Sequence, residues 1–509
     1  MERTREGTVL IMKIKLNFKK KLSRRDTSLK KATLITAVSR YSVIIMNILF
    51  NSILARILTP GDYGVVAVVS VFTNFFTLFS DMGIGAGVIQ NDLSETDQNK
   101  IFSFTIPLGI GLMFVFSMFS IVLVHLYRDN LYYGVTCCVS LSLLFSTLNM
   151  VPNALLRKQK RFVEAGFRNI ITAIASYLIA IILAILGWKY YAIVFQSVIS
   201  NGLLFLWNFH SSGLKVDFKE NWKSVNKIFN YSIFQFGFNV VNYFSRNLDN
   251  LLTGIFFSSE ALGYYDKAYK LVRMPVQNIS YVITPSLHPI LSEHQDNTQY
   301  ILNQYNKIVK LLSIIGVYIT AMCFFASHEI IYIMFGSQWG KSVISFRLLS
   351  ITIIFQMIGG IGGSIYQCMN KTKEMFYAGI LGTILTVVAI IIGIFGGTIE
   401  NLSFCYSISA ILNFTKDQLF LAHTCFKVKL SKLLNVYFKE SLILVALFLV
   451  MSLIPAHNNL IISFVIKGFI CTVVYIGMLF LTKEMSFVLS FLPEKLKKQK
   501  FYKMLVKFL

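Results

Sequence analysis

Long apolar stretches alternate with short polar segments along almost the whole chain of 509 residues. The hydrocarbon core of a bilayer is about 30 Å thick, so a crossing helix needs roughly 17–25 predominantly apolar residues. Fourteen stretches meet that requirement, and no segment between them is long enough to form a folded domain. The pattern therefore predicts an all-α polytopic membrane protein with about 14 transmembrane helices. The predicted spans are 32–58, 63–90, 101–124, 131–153, 167–187, 190–210, 230–257, 261–287, 306–327, 343–368, 375–396, 401–425, 440–456 and 459–482.

Lysine and arginine residues are concentrated in alternate connecting segments, which indicates the orientation of the chain. Both termini and the segments on the same side hold most of these cations, whereas the other side holds Arg56, Arg128, Lys189 and Lys341. Positively charged loops remain in the cytoplasm, so both termini are predicted to be cytoplasmic and the number of spans even. The net charge of +24 then reflects this topology rather than a nucleic-acid partner.

An internal repeat divides the predicted spans into two halves. Spans 1 and 2 meet through 54–68 and spans 7 and 8 through 253–269, and in both places an acidic residue is followed by a tyrosine and a glycine. An even number of spans separates the copies, so two pseudo-symmetric lobes around a central cavity are predicted. The predicted organisation is a basic cytosolic arm (1–31), an N-terminal lobe of spans 1–6 (32–210), a cytoplasmic linker (211–229), a C-terminal lobe of spans 7–12 (230–425), spans 13 and 14 with the preceding loop (426–483) and a basic amphipathic tail (484–509).

Span 7, residues 230–257, carries a polar stripe through an otherwise apolar segment. Its polar residues recur at steps of three and four, which places them on one face of a helix. Lipid cannot satisfy such a face, because a charge at mid-membrane costs at least ~2.5–3.5 kcal/mol on the insertion scale. Two explanations are open: an ion pair of Arg246 with Asp249 that holds helices together, or a face that lines the cavity of a transporter. The stripe consists of Gln235, Asn239, Asn242, Arg246, Asp249 and Thr253.

Spans 1, 2 and 8 carry comparable stripes, so corresponding helices of both halves are hydrophilic. A wet cavity lined by these four helices accounts for the pattern, although each Asn or Ser taken alone could also bond across helices. The stripes contain more cations than acids, and Arg and Lys bind phosphate, so an anionic cargo with a phosphate or diphosphate head group is predicted. The predicted cavity and substrate-binding residues are Arg40, Asn47, Asn74, Asp81, Asn239, Asn242, Arg246, Asp249, Asp266, Lys270 and Arg273.

Two segments of the chain resemble a known family. Wzx-type lipid-linked oligosaccharide flippases of the multidrug/oligosaccharidyl-lipid/polysaccharide (MOP) superfamily are similar to LARILTPGDYGVVAVVSVFTNFFTLFSDMGIGAGVIQ (54–90) and to RNLDNLLTGIFFSSEALGYYDKAYKL (246–271). Among them, the colanic-acid and teichuronic-acid exporters resemble the chain most, over roughly 30–425. The resemblance implies two lobes with spans 1, 2, 7 and 8 around a central cavity, and it implies that Arg246 and Asp249 serve the cargo.

The same resemblance implies a transport function and no enzyme activity. The cargo that the resemblance implies is an undecaprenyl-diphosphate-linked oligosaccharide repeat unit. It would be moved across the bacterial cytoplasmic (inner) membrane for surface polysaccharide biosynthesis, which includes lipopolysaccharide, O-antigen and capsule export. The expected partners are this lipid-linked oligosaccharide, membrane lipids, and polymerase and chain-length proteins of the same pathway, with no nucleic acid. No cofactor or metal is expected, because the seven cysteines are scattered and lack metal-ligand spacing.

Two other functions are alternatives. The first is a cation-coupled multidrug exporter of the same superfamily, although the excess of cations in the stripes argues against cationic drugs. The second is a polysaccharide polymerase or ligase, which should carry a long extracytoplasmic loop with catalytic residues. The longest predicted outer loop, 328–342, is short and contains only Glu329 and Lys341 as charged residues, which argues against such an enzyme.

Overall fold

All regular elements in the described part of the chain are helices, and they belong to two compact units. The structure, a computed structural model, describes residues 29–81, 84–218, 243, 247–280, 287, 291–455 and 457–490. Unit 1 comprises Met1–Arg246 and unit 2 comprises Asn247–Leu509.

Unit 1 is built from long helices joined by short turns. Ser94 begins the fourth of them by accepting a hydrogen bond from the Asp97 backbone N–H at 3.1 Å, as an N-cap serine does. Two helices continue through Pro107 and Pro152, which membrane helices tolerate when neighbouring groups satisfy the freed carbonyls. The helices are α1 (Leu29–Ile57), α2 (Pro60–Asp81), α3 (Ile84–Gln90), α4 (Glu95–Tyr127), α5 (Leu131–Lys158), α6 (Phe162–Ile185) and α7 (Tyr190–Ser212).

Unit 2 mixes long helices with short and π-helical pieces. Ser258 caps its second helix by accepting from the Ala261 backbone N–H at 3.1 Å. That helix ends at Pro275 and continues as a π-helical turn, Val276–Ser280. The helices are α8 (residues 247–256), α9 (Ser259–Pro275), α10 (Thr298–Phe325), α11 (Ser327–Phe335), α12 (Ser342–Ser350), α13 (Thr352–Cys368), α14 (Thr372–Phe395), α15 (Ile399–Phe420), α16 (Leu430–Leu434), α17 (Phe438–Ser452), α18 (Leu460–Leu481) and α19 (Met485–Ser490), with a second π-helical turn at Leu421–Phe426 and 3-10 turns at Ser337–Trp339 and Asn435–Tyr437.

Many of these helices have the length and composition of membrane spans. Within the described residues nine helices qualify, or ten if α12 and α13, which meet at a bend of 49°, form one span. Each of the fourteen predicted spans contains described helix. The helix α9 does not qualify because it has only 17 residues, and α15 does not because polar and charged residues lower its hydropathy. The predicted class, an all-α polytopic membrane protein, is confirmed.

Several polar side chains inside unit 1 bond across neighbouring helices. Ser80 Oγ on α2 lies 2.7 Å from Thr147 Oγ1 on α5. Asn208 Nδ2 on α7 donates to Asn149 Oδ1 on α5 at 2.8 Å. Such bonds are worth ~0.6–2 kcal/mol each in a membrane. These four residues therefore hold helices together within their own unit.

In unit 2, hydrogen bonds near the middle of both helices join α18 to α10. Tyr318 OH lies 2.9 Å from Thr472 Oγ1, and Tyr475 OH donates to the Ile314 carbonyl oxygen at 2.8 Å. The two tyrosine rings also pack together, with their centroids 5.1 Å apart. A helix with this many directed contacts is an integral part of the packed unit.

Candidate functional site

The candidate site in unit 2 begins at a buried carboxylate on α8. Asp249 is 1% exposed, and its Oδ2 accepts a hydrogen bond from Tyr265 OH on α9 at 3.1 Å. One turn further along α8, Thr253 Oγ1 donates to the Asp249 carbonyl oxygen at 2.6 Å. The Oδ1 atom of Asp249 has no hydrogen-bond partner among the described residues. The carboxylate thus joins α8 to α9 and keeps unused acceptor capacity.

An aromatic and cationic row extends from this contact along α9. Tyr265, Tyr269 and Arg273 are four residues apart, so they lie on one helical face. The rings of Tyr265 and Tyr269 stack with centroids 5.9 Å apart, and the Arg273 guanidinium lies 5.4 Å from the Tyr269 ring centroid. Tyr269 OH also lies 3.1 Å from Tyr406 OH on α15. The row positions a guanidinium, which binds phosphate bidentately, beside hydroxyl groups of two helices.

A second charged pair lies on the same helix. Lys270 Nζ is 2.6 Å from Asp266 Oδ2, one helical turn away. The side chain of Asp266 is buried, whereas that of Lys270 is 63% exposed. Because most of the Lys270 side chain is exposed, its ammonium group is accessible to an anion even while it pairs with Asp266.

Only some of the predicted site residues of unit 1 lie among the described residues. Asn47 lies on α1, where its carbonyl oxygen accepts from Asn51 Nδ2 at 2.9 Å, and Asn74 is an exposed residue of α2. Arg40 and Asp81 belong to α1 and α2, but their side chains lie outside the described residues. Three further predicted residues, all in span 7, also lie outside them: Asn239, Asn242 and Arg246.

The structure contains a buried charge in unit 1 that sequence reasoning missed. Arg168 on α6 has a fully buried side chain, and its three guanidinium nitrogens have no hydrogen-bond partner among the described residues. Glu164 Oε1 is 3.7 Å away, too far for a hydrogen bond. The other oxygen of Glu164 accepts instead from Arg161 Nε at 2.7 Å. The spacing of four residues between Glu164 and Arg168, near the start of a predicted span, was the available signal.

We expect Arg168→Met to raise the free energy of unfolding by ~1 kcal/mol, because an apolar side chain replaces a buried cation that lacks acceptors. The thermal unfolding midpoint of the purified protein is the measurement. Arg161→Met is the matched control and should lower the midpoint, since Arg161 donates to Glu164 and to the Ser211 carbonyl oxygen at 2.8 Å. An equal loss for both variants would contradict the interpretation of Arg168 as a buried cation without hydrogen bonds.

Metal binding has no support in the described part of the chain. No group of three or more His, Cys, Asp or Glu side chains there is arranged to hold a metal ion. All seven cysteines are free thiols, and three of them, Cys368, Cys425 and Cys471, are buried in the helical packing.

The apolar helices define a class: this is a multi-pass membrane protein. A family model described as a polysaccharide biosynthesis protein matches residues 53–344, more than half of the chain. The chain therefore belongs to the polysaccharide biosynthesis protein family, and the predicted resemblance to polysaccharide exporters is confirmed.

Comparison with individual proteins agrees with this family. Teichuronic acid biosynthesis protein TuaB of Bacillus subtilis (strain 168) is 24% identical over 413 residues, which cover 80% of this chain and 83% of TuaB. Lipid II flippase MurJ, in an inward closed conformation, has a TM-score of 0.69 and 14% identity, and the match covers 89% of this chain and 99% of MurJ. An inward-facing multidrug resistance MATE family transporter of the MOP superfamily has a TM-score of 0.55 and 14% identity, covering 78% and 99% of the two chains. The chain therefore shares its fold with membrane transporters of known structure.

Proposed function

We propose that the protein is a flippase that moves an oligosaccharide repeat unit, linked to undecaprenyl diphosphate, across the bacterial cytoplasmic membrane by alternating access. The observation that carries this proposal is the charged face of α9, where Lys270 and Arg273 lie one turn apart in a chain of the polysaccharide biosynthesis family. A diphosphate offers the oxygens that an ammonium and a guanidinium bind, the latter in bidentate fashion. Membrane helices seldom retain such cations without a polar partner or cargo.

The acidic residues of the site give the cations a partner when cargo is absent. Asp266 pairs with Lys270, so a phosphate oxygen would replace a carboxylate oxygen rather than enter a site of unbalanced charge. The sugars and the diphosphate would follow polar surfaces while the prenyl tail remains in lipid. The distribution of cationic loops supports a cytoplasmic location for both termini in this proposal. Polymerase and chain-length proteins of the same pathway would then receive the repeat unit at the outer face.

A vesicle assay tests the proposal. The purified protein is reconstituted into liposomes that contain a fluorescent undecaprenyl-diphosphate oligosaccharide, and the fraction reached by an externally added glycosidase is followed with time. Protein-containing vesicles should expose the inner-leaflet fraction much faster than empty ones. Lys270→Gln should slow the rate about threefold, since one exposed point charge contributes only ~0.6 kcal/mol. Lys373→Gln, which changes an exposed lysine of α14, should leave the rate unchanged.

A cation-coupled multidrug exporter is the second candidate, favoured by the fold shared with the MATE transporter. The same liposomes, loaded with a cationic dye and given an ion gradient, distinguish the two functions. Dye efflux without movement of the lipid-linked oligosaccharide would replace the proposed function with drug export.

A further inference from the structure

A carboxyl group without a partner is buried in unit 2, at the start of α17. Glu440 is 1% exposed, and neither of its side-chain oxygens has a hydrogen-bond partner among the described residues. The cations of this region form their ion pairs elsewhere, and within the described residues none lies within 4.0 Å of Glu440. Its own backbone N–H offers partial compensation. An ionised carboxylate in such surroundings is strongly disfavoured, whereas a protonated carboxyl is tolerated.

The neighbouring acid is held in the opposite way. Glu484, which follows α18, is also 1% exposed, yet it lies 2.6 Å from Lys310 Nζ of α10 and 3.0 Å from Lys439 Nζ of α17. Lys439 Nζ also donates to the Thr482 carbonyl oxygen at 2.9 Å. Both lysines are therefore engaged with Glu484 and its surroundings. The two buried acids of this cluster thus differ: Glu484 forms ion pairs with two lysines, whereas Glu440 forms none with any described residue.

We propose that Glu440 is a proton-binding site, occupied in the arrangement described here. The charged groups that face the site are Lys310 from α10, Lys439 from α17 itself and Glu484 beyond α18. The hydroxyl groups of Tyr437, just before α17, and Tyr475, on α18, are the other titratable groups that interact with it. When the helices rearrange so that Lys310 or Lys439 turns from Glu484 to Glu440, the Glu440 O–H bond breaks. Its electron pair stays on the carboxylate, which the lysine then pairs, and the proton passes to water. Proton release is in this way coupled to a change in the packing of α10, α17 and α18.

The proton-binding site stands on its own geometry, and its use as the coupling ion for cargo movement rests on the proposed function. An ion gradient is one energy source that can drive such a transporter. A protonatable group that changes partner with helix packing supplies such a link. The two parts are separable, because proton binding can be measured on the purified protein without any cargo.

Infrared difference spectroscopy of the full-length protein in lipid nanodiscs tests the site directly, because protonated carboxyl groups and carboxylates absorb at different frequencies. At neutral pH, the spectrum of wild type minus Glu440→Gln should contain one protonated-carboxyl band that shifts in D2O. Glu95→Gln is the matched control, since Glu95 is an exposed glutamate in the first turn of α4 and should contribute carboxylate bands only. A Glu440→Gln difference spectrum that shows carboxylate bands and no protonated carboxyl would overturn the proposal.

Unfolding gives an independent measurement. If the folded protein binds a proton at Glu440 that the unfolded chain releases, stability falls as the pH rises. Because an unperturbed glutamate titrates near ~4.3, the thermal midpoint of wild type should decline relative to that of Glu440→Gln between about pH 5 and pH 8. A constant difference over this range would contradict the proposal. If the liposome assay showed no oligosaccharide movement while the infrared band was present, the proposed function would be refuted. The proton-binding site would still be supported.

Discussion

Replacing Asp249 with asparagine is expected to slow oligosaccharide movement in the liposome assay by about tenfold or more, equivalent to ~1.4 kcal/mol or more. Asparagine retains an oxygen that can accept the hydrogen bond from Tyr265, so the change removes charge rather than shape. Asp249 is buried and interacts electrostatically with Arg273, a proposed phosphate-binding residue. Without that carboxylate, the guanidinium loses its counter-charge in the empty state and its response to cargo changes.

Tyr265→Phe is the matched control for this prediction. It removes the hydroxyl that donates to Asp249 at 3.1 Å and preserves the ring that stacks on Tyr269. Loss of one such hydrogen bond costs ~1 kcal/mol of stability, so the thermal midpoint should fall while transport stays within about threefold of wild type. If Tyr265→Phe loses as much transport as Asp249→Asn, the bonded geometry matters rather than the charge. Normal transport by a folded Asp249→Asn protein would remove Asp249 from the proposed site.

The spans and the shared faces of single helices could be predicted from the sequence, because both follow local rules. Lipid demands a long apolar run at every crossing, and helices such as α10 and α14 satisfy that demand residue by residue. Along α9, steps of three and four residues place Asp266, Lys270 and Arg273 together, and the structure forms a helix over all three. Such information is contained in the order of neighbouring residues.

Contacts between distant segments could not be predicted in this way. Taken alone, Lys467 is a single charge within an apolar span and Glu329 is a charge in a short loop, yet the fold brings them together across 138 residues. The pair of Tyr269 and Tyr406 hydroxyls spans 137 residues. The burial of Glu440 likewise depends on three helices meeting around it. The sequence alone does not show how whole helices pack, so it cannot distinguish a buried charge that has a counter-charge from one that has none.

Replacing Lys467 with methionine is expected to lower the free energy of unfolding by about 3–5 kcal/mol, because it leaves a buried carboxylate without its counter-charge. Lys467 Nζ lies 2.6 Å from Glu329 Oε1 and donates to the Phe325 carbonyl oxygen at 2.9 Å. Methionine fills a similar volume but leaves Glu329, whose side chain is 3% exposed, with the hydroxyl of Ser463 as its donor at 2.6 Å. The thermal unfolding midpoint of the purified protein measures this loss.

Two further variants distinguish the two possible causes of the stability loss in Lys467→Met, which are an unpaired buried charge and lost side-chain packing. Adding Glu329→Gln to Lys467→Met should recover most of the stability, since no charge then remains buried. Lys371→Met breaks a more exposed ion pair, with Glu374 Oε1 at 3.4 Å, and should cost less than ~1 kcal/mol. Similar losses for Lys371→Met and Lys467→Met would show that burial of the pair does not determine its contribution.

The pH dependence of Lys467→Met distinguishes these explanations most sharply. In wild type, burial raises the pKa of the Glu329 carboxyl, but hydrogen bonds from Lys467 and Ser463 outweigh burial and hold the pKa below its ordinary value. A lowered pKa contributes stability above the unfolded value, and that contribution is lost as the pH falls through the folded value. Without Lys467, the effect of burial on the Glu329 carboxyl is larger than that of its remaining hydrogen bonds. Protonation of Glu329 in acid then removes the unpaired charge and reduces the stability loss of the variant. The gap between the two midpoints should therefore be widest near neutral pH and narrow towards about pH 4, whereas lost packing alone would leave it constant.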